Sequence, residues 1–225
     1  MNKNWIISQV WKDILFINFK VDADLLRASL PKPLELDTFK GEAFLSVVPF
    51  RMEGIRFPFT PALPFSSLWE LNLRTYVNYK GRRGIYFFTL DTDHLLGQWI
   101  AKSFFHLPYR FRPIRAHLEK RIYKFEVKGS LDIIAKVSDV PLVASEYNDW
   151  LVERYSLFTV KKTPEGNRLW RGDVVHKPWP LSFCQLKINK EELCREFFKT
   201  GNFQLDSFFY AKELPVYFKP FKRIE

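Results

Sequence analysis

Cysteine is scarce in this sequence, with only Cys184 and Cys194 among 225 residues. A small secreted scaffold would carry more, so two free, partly buried thiols in a reducing cytosol are expected. Long apolar runs are also missing. Nothing approaches ~18 uninterrupted apolar residues, which excludes a membrane-spanning helix. The opening stretch, MNKNWIISQVWKDILFINF, is broken at Ser8-Gln9 and again at Lys12-Asp13, and no small-residue cleavage site follows. No signal peptide is expected. There is no repeat period, which excludes a repeat array. The segment GRRG (81–84) reads as a turn, because no glycine-rich strand-to-helix fingerprint for phosphate surrounds it. His94, His106, His117 and His176 lack an i, i+4 pair, and the cysteines are not spaced as zinc ligands, so neither a metal nor a cofactor is expected.

Aromatic residues, by contrast, are abundant at 17%, with 23 Phe supplying most of them. They favour strands and fill large interiors. The net charge is +10, from 35 Lys and Arg against 25 Asp and Glu. Its densest stretch, YRFRPIRAHLEKRIYK (109–124), still mixes in an acid and several apolar residues, as solvated strand edges and turns do. Binding to nucleic acid is therefore expected to be weak and non-specific, fading near physiological salt as counterions compete.

Strand-like segments dominate: 14–21, 42–50, 68–79, 84–91, 117–128, 132–138, 151–162, 167–176 and 182–188. YKGRRG predicts an antiparallel hairpin between 68–79 and 84–91. Helices are expected over 22–29, capped by Asp22, over 93–106, capped by Asp93, and over 190–199, capped by Asn189. FPFTPALP (57–64) reads as a surface loop or lid, and no linker divides the chain, so one domain over 1–225 is expected. Many antiparallel strands without βαβ alternation argue for a mainly β fold, a closed or nearly closed barrel or a sandwich.

The segment LWELNLRTYVNY (68–79) poses the functional question. One face of that strand carries Trp69, Leu71, Leu73, Thr75, Val77 and Tyr79; the other carries Glu70, Asn72, Arg74, Tyr76 and Asn78. Residues two apart on a strand lie roughly 6.5–7 Å apart, so Glu70 and Arg74 are about 13 Å apart and each needs a partner elsewhere. Either this face is solvated, or it lines a cavity where Glu70 serves as an acid or base and Arg74 as an anion clamp.

GEAFLSVVPFRMEGIR, WELNLRTYV, GIYFFTLD, LPYR, LVERYSLF and HKPWPL occur in an order and spacing that resembles the YqjF-like family of uncharacterised bacterial proteins. That family looks like a relative of acetoacetate decarboxylase. The resemblance implies an antiparallel β-barrel of the acetoacetate decarboxylase-like type, with a central cavity, a few outer helices, and Glu70, Asn72 and Arg74 facing inward. The decarboxylase forms a Schiff base on a lysine in a Pro-Lys-Lys stretch. The matching place here is LPYR, with Tyr109 and Arg110 in place of the lysines. Neither has an amine that condenses with a carbonyl, so Schiff-base chemistry is not supported there, although a displaced lysine such as Lys102 stays open. Tyr109 remains a hydrogen-bond donor for a ligand, or an aromatic plug.

Three function classes follow. The first is a barrel that binds, with or without turnover, a small organic ligand, anionic or carbonyl-bearing, through Glu70, Asn72, Arg74, Tyr109, Arg154 and His176, with Glu70 the candidate catalytic residue. In 151–162 the alternation leaves open whether Arg154 faces inward as a partner for Glu70 or Glu153 as a partner for Arg74. Arg154 is preferred, and one internal cluster of Glu70 and Arg74, completed by Arg154 or Tyr109, is expected. The second class is a structural protein whose barrel is filled by its own Phe side chains. The third is a basic nucleic-acid-binding barrel.

Overall fold

Alternating apolar residues and tight turns build most of this chain into strands. The computed structural model describes residues 4–63, 67–95, 106–164 and 166–224. In chain order the elements are β1 (Ile7–Val21), α1 (Ala23–Ser29), β2 (Glu35–Leu36), β3 (Ala43–Arg56), β4 (Leu68–Tyr79), β5 (Arg82–Thr92), β6 (Tyr109–Phe111) and β7 (Ile114–Glu119). There follow β8 (Ile122–Val127), β9 (Leu131–Pro141), α2 (Glu146–Val152), β10 (Ser156–Thr163), β11 (Gly166–Val175), β12 (Leu181–Glu191), α3 (Leu193–Phe197), β13 (Gln204–Phe218) and β14 (Lys222–Arg223). No helix among the described residues is long and apolar enough to cross a membrane.

The strands join in one sheet. β11, β10, β5, β4, β3, β1 and β13 pair in that order, and β11 pairs back onto β13, closing a ring of seven. Most pairs are antiparallel, but β5 runs parallel to both β10 and β6. From β13 the sheet continues through β12, β9, β8 and β7. This outer part covers one flank of the ring, so Leu71 and Leu73 of β4 share a buried cluster with Tyr123 and Phe125 of β8 and Ile133 of β9. At Leu71 and Leu73 the face of 68–79 that reads as apolar therefore packs between the ring and this outer part of the sheet. Its polar face looks into the ring.

The hairpin between β4 and β5 forms as expected, but more tightly. Tyr79 lies opposite Arg82, leaving only Lys80 and Gly81 in the turn. Both have positive φ, 51° and 79°, the pattern of a two-residue turn matched to strand twist. Asn78 Oδ1 accepts the Gly81 N–H at 2.9 Å and pins the turn.

Several elements depart from the sequence reading. Residues 117–128 are not one strand, because Lys120 and Arg121, at φ 49° and 70°, turn β7 back into β8. Residues 151–162 begin as the end of α2, and the strand starts only at Ser156. There the Ser145 hydroxyl caps Asn148, and Leu151 packs into the core, so tertiary burial overrides an apparent alternation. The helix expected at 190–199 shrinks to Leu193–Phe197, because Lys190 and Glu191 still pair with β9. The Cys194 N–H is accepted by Glu191 Oε1 at 2.9 Å, and Asn189 caps nothing there. Most of the helix expected at 93–106, namely residues 96–105, lies outside those described. β1 begins earlier than the reading at 14–21, and the sequence reading contains no strand at β13.

A bulge in β1 sets the cavity wall. Asp13 adopts φ 53°, and the register against β3 shifts between Lys12 and Ile17. The extra residue changes which side chains face inward, so Trp11 before it and Ile14 and Phe16 after it all line the lumen.

Candidate functional site

Inside the ring lies a cavity; all the space between its lining atoms, open mouth included, comes to about 700 Å³. Its walls are mostly apolar, and polar groups enter from a few strands. Glu70, Asn72 and Arg74, all of β4, line it, as do Tyr109, Arg154 and His176. All six residues singled out in the sequence border this space. They do not form one cluster.

Glu70 is 2% exposed. The Tyr109 hydroxyl, brought alongside by the parallel pairing of β6 with β5, donates to Glu70 Oε2 at 2.6 Å. Asn72 Nδ2 approaches Oε1 at 3.4 Å. Burial pushes the Glu70 carboxyl up to about 7, against the two hydrogen bonds, and the charge of Asp91 adds to the rise. Burial and the neighbouring Glu70 hold the Tyr109 hydroxyl well above its usual range, so it remains a donor. A carboxyl balanced near neutrality in a cavity is suited to proton transfer.

Arg74 is 7% exposed and stands over the Phe16 ring, its guanidinium carbon 5.2 Å from the ring centre. Its Nε and Nη2 are buried with no hydrogen-bond partner among the described residues. No carboxylate there forms an ion pair with it. Burial lowers its pKa while Tyr76 acts against this, yet an arginine remains charged. The Trp11 and Trp179 indole N–H groups and Arg154 Nη2 are likewise buried and unpartnered, against the single acceptor Asn72 Oδ1. The lining thus presents more unmet donors than acceptors.

Arg154 does face inward, as preferred, but its partner is not Glu70. Its Nη1 binds Asp37 Oδ2 at 2.6 Å and its Nε binds the Trp150 carbonyl at 2.7 Å. The guanidinium lies between the Tyr76 and Trp150 rings, 5.0 and 4.4 Å from their centres. Glu153 points elsewhere, accepting the Trp179 backbone N–H at 2.7 Å and the Tyr155 hydroxyl. His176 stacks on Tyr155 at 4.5 Å and contacts the Lys177 carbonyl through Nδ1 at 2.7 Å; burial lowers its pKa.

Tyr109 and Arg110, neighbours in LPYR, part company. Arg110 faces away from the lumen and forks onto Asp91 at 2.7 and 2.8 Å, in a network with Arg112 and Glu196. The described lining residues include no lysine, and Lys102 lies outside the described residues. Cys184 and Cys194 are free thiols whose pKa values burial raises. Among the described residues no group of three or more His, Cys, Asp or Glu is placed to hold a metal.

Sequence reading missed the aromatic part of the wall: Trp11, Phe16, Phe50 and Phe218. For Trp11 and Phe16 the missing signal is the bulge at Asp13, since simple alternation assigns them to opposite faces.

Seven strands closed around such a cavity define an acetoacetate decarboxylase-like fold. Acetoacetate decarboxylase of Legionella pneumophila superposes with a TM-score of 0.68 at 18% identity, covering 100% of this chain and 91% of that one. The enduracididine biosynthesis enzyme MppR complexed with pyruvate gives 0.68 at 13%, covering 97% and 90%. An acetoacetate decarboxylase-like enzyme of Sphingomonas wittichii gives 0.67 at 14%, covering 98% and 93%. Within that fold the chain belongs to the DUF2071 family of uncharacterized conserved proteins, which it matches over residues 8–215. It is 35% identical to the uncharacterized protein YqjF of Bacillus subtilis over 230 residues, covering 97% of this chain and 93% of that one.

Proposed function

We propose that the lumen binds a small organic anion whose carboxylate or equivalent group sits on Arg74, with Glu70 and Tyr109 beside its reactive carbon. The observation that carries this reading is the buried guanidinium of Arg74, whose Nε and Nη2 have no hydrogen-bond partner and which pairs with no carboxylate among the described residues. An uncompensated buried cation is costly, and an anion in the cavity supplies both the charge and the acceptors it lacks. That one solved neighbour is complexed with pyruvate makes pyruvate a sensible first probe. Where the bound anion can enolise, Glu70 is the group that moves a proton, and Tyr109 holds it in place.

Calorimetric titration with pyruvate and acetoacetate tests the binding. Arg74→Ala is expected to weaken it by about thirtyfold or more, since the loss of one partner of a buried charged pair costs about 2–5 kcal/mol. Arg74→Lys restores part of that. Affinity should fall as the pH rises through about 7, where the Glu70 carboxyl gains a negative charge in the same cavity. Glu70→Gln should bind without this pH dependence and lose any exchange of the pyruvate methyl protons in heavy water, followed by NMR. Equal affinity of wild type and Arg74→Ala would remove the proposal.

A further inference from the structure

The polar groups account for only part of the lumen. A three-carbon acid on Arg74 engages only the polar part of the wall, and what borders the remainder of the lumen is a set of aromatic rings. Trp11 lies nearly parallel to Trp179, centres 5.8 Å apart and planes at 15°. Phe50 and Phe218 meet Trp11 edge-on, at 5.6 and 6.2 Å. Phe16 meets Trp179 edge-on at 4.9 Å. The same Phe16 ring lies 5.2 Å beneath the Arg74 guanidinium carbon, so the cation and the aromatic box share one ring as their boundary. Five rings from four separate segments converge here: β1, β3, β13 and the loop before β12. The bulge at Asp13 is what turns Trp11 into the group.

From this adjacency we infer that the ligand is an anion with an aryl or comparably flat unsaturated body, its charge on Arg74 and its ring in the box of Trp11, Phe16, Phe50, Trp179 and Phe218. The inference rests on the reading that Arg74 holds the anionic group, and it adds the chemical class of the rest of the molecule. Ring edges and faces arranged this way favour a flat π-system in edge-to-face or offset contact over a compact aliphatic chain. The boundary at Phe16 keeps head and body one short linker apart, which suits an arylalkanoate.

Calorimetry on the full chain with 3-phenylpropanoate, propanoate and 3-phenylpropan-1-ol separates the two levels of the argument. The aryl acid is expected to bind about tenfold or more tightly than propanoate, the usual size of burying an aromatic ring against others. In Trp179→Ala that preference should shrink to about threefold or less, whereas Trp179→Phe should keep most of it. Far-UV circular dichroism confirms that both variants fold, and the wild-type comparison of the two acids decides without them. Equal binding of the two acids, with both lost in Arg74→Ala, overturns the aryl inference and leaves the anion reading standing. If the neutral alcohol binds wild type as tightly as the acid, the anion reading falls and this inference with it. Failure of all three probes to bind overturns both.

Discussion

Replacing Arg74 with methionine is expected to raise the unfolding free energy of the ligand-free protein by about 1–4 kcal/mol while abolishing anion binding. Arg74 is buried, its Nε and Nη2 have no partner among the described residues, and its compensation comes from the Tyr76 hydroxyl and the Phe16 ring at 5.2 Å, with no carboxylate. Such a charge contributes to function by remaining unsatisfied in the empty state. Methionine is close in length, unbranched and apolar, so it fills the same channel without the desolvation cost. Arg74→Ala is the contrasting variant, because it relieves the charge but leaves a void, and the two effects offset one another. Urea unfolding at constant m-value measures both. A methionine variant less stable than wild type would mean that the guanidinium is compensated, and the case for an anion in the lumen would lose its footing.

Glu70→Gln is expected to change the pH dependence of stability, with a difference on the order of 3 kcal/mol developing between pH 4.5 and 7. The folded-state pKa is raised, from 4.5 to about 7, chiefly by burial. Below the lower value both folded and unfolded chains carry the proton, and Glu70 costs nothing. Between the two values the unfolded chain releases its proton first, so unfolding gains and wild-type stability declines. Above about 7 both forms are ionised and the loss levels off. Glutamine keeps the shape and still accepts from the Tyr109 hydroxyl, so the variant should show no such decline. Stability measured at half-unit steps from pH 4 to 8, taken as variant minus wild type, should trace a rising step. A flat difference would place the Glu70 titration at its ordinary value and remove its suitability for proton transfer near neutrality.

The strand 68–79 shows how much of this site was legible beforehand. Its alternation put Glu70, Asn72 and Arg74 on one face, and the separation of Glu70 from Arg74 required outside partners. Tyr109 is such a partner for Glu70, joined through the parallel pairing of β6 with β5, which local pattern cannot reveal. Arg154 faces inward yet serves Asp37, a residue 117 positions away that carried no sequence signal. Hairpins announced by Gly were legible, whereas the turn at Lys120-Arg121 was not, since two long basic side chains look like strand surface. Charged residues similarly obscured β13, where Lys212 and Glu213 interrupt the apolar pattern just where the inward face changes between Ala211 and Leu214.

The ring is unevenly sewn. β1 and β13 run together from Ile7 opposite Phe218 to Lys20 opposite Gln204, but the β10–β11 hairpin is tied to its neighbours by short seams. On one side only Leu157 faces Ile85 and Phe158 faces Tyr86; on the other, Val174 faces Phe218 and Val175 faces Tyr217, and β14 adds Trp170 opposite Arg223 and Arg171 opposite Lys222. At the first seam the backbones approach so closely that a Cβ on Gly84 would lie 2.6 Å from the Ser156 carbonyl oxygen. Leu157, Val174 and Phe218 are also cavity wall. The hairpin is accordingly a hinged panel, the part of the ring whose opening breaks the fewest ladder bonds. In native-state hydrogen exchange its seam amides should trade protons well ahead of those in the β1–β13 ladder, at rates that slow when the lumen is filled. For the anion proposed to occupy the lumen, residence time would then be set by the unzipping of these short seams, and the rate of release by the hydrogen-bond register that joins them.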